Sequence, residues 1–169
     1  MYIHPTAIIE QAGCMIVFLD IDGVLRSTFL GHNCSEYCQI DRFETVMRGF
    51  PGWEIVISAG LREKKDLNAL REMFSADIAD RIVGVTPVIG LSIKYCRQHE
   101  IERYLVNTSQ TSAPWIVLDD VASQFEDGLD NLVLCHMFTG LDEHAAERLR
   151  TKLTTFAQSL HQDVPRIST

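Results

Sequence analysis

The sequence predicts an α/β fold: a central, mostly parallel five-stranded sheet with helices on both faces. Five short apolar runs alternate with amphipathic stretches of helical period, the pattern of strand–helix–strand units. The runs are apolar throughout rather than alternating, as strands covered on both faces are. Three of them stop at acidic or hydroxyl residues, where open parallel sheets place their ligands.

The elements follow in order. Residues 15–20 form the first strand, the run Ile16-Val17-Phe18-Leu19 stopped by Asp20-Ile21-Asp22-Gly23. Residues 26–38 are irregular and read as a flap. Phe43, Val46, Met47 and Phe50 make one stripe of a short helix, ended by Pro51-Gly52. Trp53 to Ser58 is the second strand. Residues 62–74 read as one helix with Leu67, Leu70 and Phe74 on a face, and Ile82 to Val85 as the third strand. Ser92 is placed to cap a helix running to Leu105. Trp115 to Leu118 is the fourth strand, ending in Asp119-Asp120, and Asn131 to Leu134 the fifth. The last helix, from Asp142 to Leu160, carries Ala145, Leu149, Leu153, Phe156 and Leu160 at alternating spacings of three and four. Residues 14–160 thus form a single domain. Residues 1–13 are a weakly patterned N-terminal extension, disordered or added as an edge strand, and 161–169 are a polar tail.

Bulk properties exclude several classes. With 46% apolar residues over 169, the chain is not disordered. No apolar run approaches the roughly 18 residues that span a bilayer. Met1-Tyr2-Ile3-His4-Pro5 lacks the basic start of a secretory signal. A net charge of -8 disfavours long-range steering toward nucleic acid. Arg62, Lys64, Lys65 and Arg71 form the densest basic cluster and read as a solvated helix face. Five cysteines, an odd number, point to reduced thiols and a cytoplasmic location, with Cys14, Cys96 and Cys135 as small core residues. His32, Cys34 and Cys38 offer soft-metal ligand types, but a structural zinc site takes four ligands and no fourth is evident; lining a substrate entrance is the other reading. Glu126, Asp127 and Asp130 read as a solvated loop.

The strand ends carry the chemistry. In a parallel sheet the ends of the first, second and fourth strands share an edge, so Asp20, Asp22, Ser58, Asp119 and Asp120 converge although they lie far apart in sequence. Carboxylates so close repel one another unless a cation or proton intervenes. Asp20 is suited to attack phosphorus and form an aspartyl-phosphate. Mg²⁺, which takes hard oxygen ligands, would offset the repulsion between Asp20 and an incoming phosphate. Asp20 and Asp119 would supply side chains and Asp22 its backbone carbonyl; Asp120 would bind directly, through water, or orient Asp119. Asp22 is suited to protonate the leaving oxygen and then deprotonate a water. Ser58 with Ala59, and a cation from Arg97 or Lys94, would hold the transferring phosphoryl group. Arg97 and Lys94 both fall near the sheet-facing stripe at the start of their helix.

These residues resemble the haloacid dehalogenase-like (HAD) phosphohydrolase superfamily. Its first motif corresponds to Asp20-Ile21-Asp22-Gly23-Val24-Leu25 and its second to Ile55-Val56-Ile57-Ser58. Its third is a lysine or arginine, and its fourth the acidic pair in Leu118-Asp119-Asp120. The likeness runs from about residue 14 to 160. It implies a three-layer Rossmannoid fold, a Mg²⁺ cofactor and phosphatase activity. A closer likeness is to small capless HAD domains of bacterial RNA-repair contexts, through Ser58-Ala59-Gly60-Leu61-Arg62-Glu63, Ile82-Val83-Gly84-Val85-Thr86-Pro87, Arg97-Gln98-His99-Glu100-Ile101 and Thr139-Gly140-Leu141. Leu61 departs from it, standing where those relatives usually have tryptophan. The alignment favours Arg97 as the third-motif cation; the superfamily's frequent lysine keeps Lys94 in view.

Between Leu25 and Trp53 there is room for a flap and one helix, and no large cap. Capless relatives often take bulky substrates, such as nucleic-acid ends or phosphoproteins. The leading expectation is therefore a Mg²⁺-dependent phosphatase. The alternatives are a nucleic-acid end-processing phosphatase or phosphotransferase, and a non-catalytic binding or regulatory module on the same fold.

Overall fold

The computed structural model describes residues 14–27, 37–90 and 92–162. Its centre is a five-stranded sheet in the order β3-β2-β1-β4-β5. The strands are β1 (Met15–Leu19), β2 (Trp53–Ile57), β3 (Ile82–Val85), β4 (Trp115–Asp119) and β5 (Leu132–Leu134), and every pairing is parallel. The helices are α1 (Ile40–Arg48), α2 (Leu67–Arg71), α3 (Ala76–Ala79), α4 (Cys96–Asn107) and α5 (Glu143–Gln162). The chain starts at the sheet's centre, works outward through β2 and β3, then returns to the other side of β1. This reversal makes the gap between the C-terminal ends of β1 and β4 the topological switch point, where α/β sheets hold ligands.

Strand side chains alternate between two packed layers. Val17, Leu19, Ile55, Ile57, Ile116 and Leu118 face a core shared with Phe43 and Met47 of α1, Leu70 of α2, Ile78 of α3, and Leu149 and Leu153 of α5. Ile16, Phe18, Val56 and Val117 face the other way, against Ile101 and Leu105 of α4 and Phe125. Phe18 meets Tyr104 and Trp115 edge-on, with ring centroids 5.7 and 5.9 Å apart. The expected sandwich of helices around a parallel sheet is therefore present, with four α-helices on one face and α4 on the other among the described residues.

Local departures have physical causes. Residues 62–74 are not one helix: a 3₁₀ turn spans Gly60–Glu63, and α2 starts afresh where Asp66 caps the Ala69 N–H at 2.9 Å. The chain bends again at Ser75, whose N–H and hydroxyl both donate to Glu44 before the short α3. The anticipated solvated basic face is only partly there. Lys64 and Lys65 are exposed, but Arg71 donates to the Ile82 carbonyl and Arg62 is turned inward. Ser92 does not cap α4, because Tyr95 adopts a left-handed backbone (φ 57°) and the helix begins only at Cys96. At the other end of the chain Asp142 caps α5 by accepting from the Ala145 N–H at 2.9 Å.

Among the described cysteines Cys14, Cys96 and Cys135 are free. Cys14 is only part-buried and donates to Glu54 at 2.7 Å, and burial pushes its thiol up to about 12. Cys38 is disulfide-bonded. This corrects the expectation of reduced thiols throughout, and an oxidised Cys38 is no soft-metal ligand. His32 and Cys34, residues 1–13, most of the flap and the tail beyond 162 lie outside the described residues. No described helix is long and apolar enough to cross a membrane.

Because α4 is the one α-helix on its side of the sheet among the described residues, Ile101, fully buried, anchors it. Ile101→Ala is expected to lower unfolding free energy by about 2–5 kcal/mol in urea titrations.

Candidate active site at the sheet edge

Parallel register brings the strand ends together. Leu19 pairs with Ile57 on one side and Leu118 on the other. The next residues continue the ladder: the Ser58 N–H donates to the Leu19 carbonyl at 2.9 Å, and the Asp20 N–H to the Leu118 carbonyl at 3.0 Å. Asp20, Ser58 and Asp119 each lie two residues beyond Phe18, Val56 and Val117. By strand parity they belong to the α4 side of the sheet. There Arg97, in the first turn of α4, meets them.

Asp20, Asp119 and Asp120 form one cluster, with a carboxylate oxygen from each lying within 4.8 Å of the others. Asp20 and Asp119 are buried and Asp120 half-buried. Only part of their bonding capacity is used. Asp20 Oδ1 accepts from the Ile21 N–H at 2.8 Å, and Asp119 Oδ1 from the Val121 N–H at 2.9 Å. Asp119 Oδ2 is buried without a hydrogen-bond partner among the described residues. Burial raises all three carboxyl pKa values. For Asp20 the Asp119 charge adds to the rise and Arg97 opposes it, leaving it near 8; Asp119 rises to about 6. A pair of buried carboxyls that resist joint ionisation, one with an orphaned oxygen, suits a hard cation such as Mg²⁺.

Gly23 sets the approach of Asp120. Its φ is 77°, and a Cβ there would lie 2.1 Å from Asp120 Oδ2 and 2.2 Å from Asp120 Cγ. Glycine is thus required twice, for the left-handed backbone and for the space. The Asp22 carboxylate is not one of the three, although its charge adds to burial in raising Asp120. It is bound by Arg26 through Nε at 2.8 Å and again through Nη2, and its side chain is 45% exposed.

The two candidate cations separate clearly. Arg97 is buried, with Nε 3.4 Å from Asp119 Oδ2 and Nη1 3.6 Å from Glu100 Oε2. Neither nitrogen makes a hydrogen bond among the described residues, and the buried Ser58 Oγ is likewise unpartnered. Lys94 is exposed outside this group, its Nζ 4.3 Å from the centre of the Tyr95 ring. Glu126, Asp127 and Asp130 are exposed, as expected of a solvated loop.

Sequence reasoning missed the support beneath the site. Arg62 is buried and donates to the carbonyls of Ser58 and Ala59, both at 2.8 Å, and of Thr86 at 3.0 Å. It thereby ties the turn after β2 to the turn after β3. Its Nη2 lies 2.6 Å from Glu100 Oε2. Burial lowers the Arg62 pKa and Glu100 counteracts this. Thr86 is buried with its hydroxyl unpartnered among the described residues. The segments were visible as Leu61-Arg62-Glu63 and Arg97-Gln98-His99-Glu100, but nothing in their spacing told which charges turn inward. A pocket of about 270 Å³ opens beside Arg97, with Arg62, Glu63, Val88, Glu100 and Gln124 in its lining.

A family model described as a HAD domain in Swiss Army Knife RNA repair proteins matches residues 16–146. The chain belongs to this family. The match takes in β1 through the start of α5, and so every element that bears a carboxylate of the cluster. No curated protein matches the chain.

Two predictions follow from the electrostatics of this HAD domain. Raised carboxyl pKa values mean that the metal-free native state holds protons the unfolded chain has released. The stability contributed by Asp20 and Asp119 is therefore full below about pH 4 and is lost as pH climbs through about 6 to 8. Urea titrations in EDTA at pH 5 and pH 8 are expected to show the wild type losing stability over this interval and Asp20→Asn losing less. Separately, Gly23→Ala is expected to destabilise the fold by more than 1 kcal/mol, on the order of a strained left-handed residue with a clash. It is also expected to weaken Mg²⁺ binding in calorimetry by displacing Asp120.

Proposed function

We propose that this HAD domain is a Mg²⁺-dependent phosphatase acting through an aspartyl-phosphate on Asp20. One observation carries the reading: a largely buried carboxylate cluster lies at the switch point beside a buried arginine whose Nε and Nη1, like the Ser58 hydroxyl, make no hydrogen bond among the described residues. Buried polar groups are nearly always satisfied. Asp119 Oδ2 and Arg97 Nε face each other at 3.4 Å without a hydrogen bond, so each keeps bonding capacity to spare, the carboxylate for a cation and, with the Ser58 hydroxyl, the guanidinium for an anion.

In this mechanism an Asp20 carboxylate oxygen attacks phosphorus in line with the ester oxygen. The new bond is Asp20 O–P, the P–O bond to the leaving group breaks, and Asp22, carrying a proton taken from solvent at the first turnover and from the hydrolytic water at each later one, gives that proton to the leaving oxygen. In the second half Asp22 takes a proton from water, the water oxygen bonds to phosphorus, and the Asp20 O–P bond breaks to release inorganic phosphate. Asp22 enters by exchanging Arg26 for the leaving oxygen. Ser58, Ala59 through its backbone, and Arg97 hold the phosphoryl oxygens as their charge spreads. Asp20, Asp119, Asp120 and the Asp22 backbone carbonyl would hold Mg²⁺, which when bound offsets the negative charge between nucleophile and substrate. Lys94, exposed and turned onto Tyr95, has no part in it.

The family's description places such domains in RNA repair proteins. That supports a phosphorylated nucleic-acid end as the substrate, and a phosphotransferase using the same residues is the nearest variant. The net charge of -8 means that such an end would be held by local contacts rather than by long-range attraction.

The test is phosphate release from p-nitrophenyl phosphate, nucleotides, sugar phosphates, and 3′- and 5′-phosphorylated oligonucleotides, each with Mg²⁺ and with EDTA. Turnover is expected with Mg²⁺ alone, and to vanish in an Asp20→Asn protein that melts cooperatively. Turnover retained by that variant would remove Asp20 as nucleophile. No preference for any oligonucleotide end would count against end processing. Silence from folded wild type on every substrate would favour a binding module.

A further inference from the structure

We propose that Glu100 is a positioning residue for phosphate recognition: its carboxylate holds Arg97 against the carboxylate cluster and Arg62 beneath the Ser58–Ala59 turn. The inference deepens the phosphatase reading and rests on it for the identity of the anion.

The geometry is a buried line of alternating charge. Arg62, Glu100, Arg97 and Asp119 follow one another at 2.6, 3.6 and 3.4 Å, with side chains 3, 5, 10 and 0% exposed. A single oxygen, Glu100 Oε2, meets both guanidinium groups. At this burial two arginines repel strongly, and a shared carboxylate is the simplest neutraliser. The two cations depend on it differently. Arg62 has four N–H···O contacts with carbonyls at 2.8–3.5 Å besides its pair with Glu100. Arg97 has no hydrogen bond from Nε or Nη1 among the described residues; those atoms are ion-paired to the two carboxylates at 3.4 and 3.6 Å. Charge, more than directional bonding, fixes its distal end. The spacing follows from α4 itself, since Arg97 and Glu100 are three apart and share a helix face.

Arg62 gives this arrangement its reach. Its Nη1 holds the carbonyls of both Ser58 and Ala59. The Glu100 carboxylate therefore connects the turn that would receive phosphoryl oxygens to the arginine that would neutralise them. Neither arm contacts the reacting atoms through Glu100 itself, so its action is on placement.

Glu100→Gln isolates the charge, because it keeps the size and one acceptor oxygen. Binding of inorganic phosphate is measured by calorimetry, with and without Mg²⁺, beside kcat and KM for the best substrate of the panel. Phosphate affinity and kcat/KM are both expected to fall about 10- to 100-fold, as for other outer partners of a charged site. Glu100→Asp, which restores the charge, is expected to recover part of both losses. A folded Glu100→Gln protein with wild-type phosphate affinity and turnover overturns the proposal, even if its melting temperature drops, because that is what a purely structural role would give. If Glu100→Gln does not fold, Arg62→Gln combined with Glu100→Gln removes the buried pair together, and wild-type phosphate binding by that protein overturns the proposal equally. A wild type that binds phosphate, loses it on Glu100→Gln, yet turns over no monoester would refute the phosphatase reading alone.

Discussion

Two carboxyl groups held out of water at one sheet edge set the terms for everything around them. Asp20 and Asp119 sit on adjacent central strands, and the ladder that makes the sheet also forces their side chains together. A surface pair at this separation would be screened by water. A buried pair is not: burial raises both groups, and the Asp119 charge pushes Asp20 up further. The fold therefore has a site that is least comfortable when empty of cations. Arg97 relieves part of the tension from within, at 3.4 Å from Asp119 and without a hydrogen bond. The unrelieved part favours the binding of a hard cation.

The sheet's two faces divide the labour. Four helices build the larger core on one side, where Phe43, Leu70, Leu149 and their neighbours bury the bulk of the apolar surface. The α4 side is thinner, and it is the side to which strand parity sends Asp20, Ser58 and Asp119. Charged side chains enter the protein here through α4, the turn after β2 and the end of β4, in a line of alternating sign. Arg62 and Arg97 supply two positive charges; Glu100 and Asp119 supply two negative ones. Such a network is poor as a source of stability, because desolvation consumes most of its attraction. It serves to hold orientations.

The sequence made the fold legible because the fold rests on periodicity and on turn chemistry. Uninterrupted runs such as Trp115-Ile116-Val117-Leu118 belong to strands covered on both faces, and the switch in sheet order follows from a chain that leaves β1 by one side and returns by the other. Asp20, Asp119 and Asp120 were legible for the same reason, since they terminate strands whose register is fixed. Asp22 was placed beside them by sequence distance, yet its carboxylate is taken by Arg26. The alignment favoured Arg97 over Lys94, but periodicity could not decide between them, because a helical wheel drawn from Ser92 treats both as helical. The left-handed Tyr95 breaks that wheel and leaves only Arg97 on α4. Arg62 was misjudged as solvated. A basic residue among lysines looks exposed until the carbonyls of two separate turns, and Glu100 on a third segment, are seen to surround it. Those contacts span three elements, and no local pattern encodes them.

Gly23 shows how a single local rule can answer to a distant one. Asp-Gly is a common turn signal, and the left-handed φ of 77° is reason enough for glycine there. The same position must also admit Asp120 from the turn after β4, at a distance that leaves no room for a Cβ. Gly140 repeats the device: its φ is 62°, and a Cβ would sit 2.4 Å from the Val24 carbonyl, which accepts the Leu141 N–H at 2.8 Å. The loop after β1 is thus pressed between Asp120 on one side and the turn before α5 on the other. The confinement fixes the backbone between Asp20 and Val24 on both sides, while the Asp22 side chain, on the same segment, stays 45% exposed.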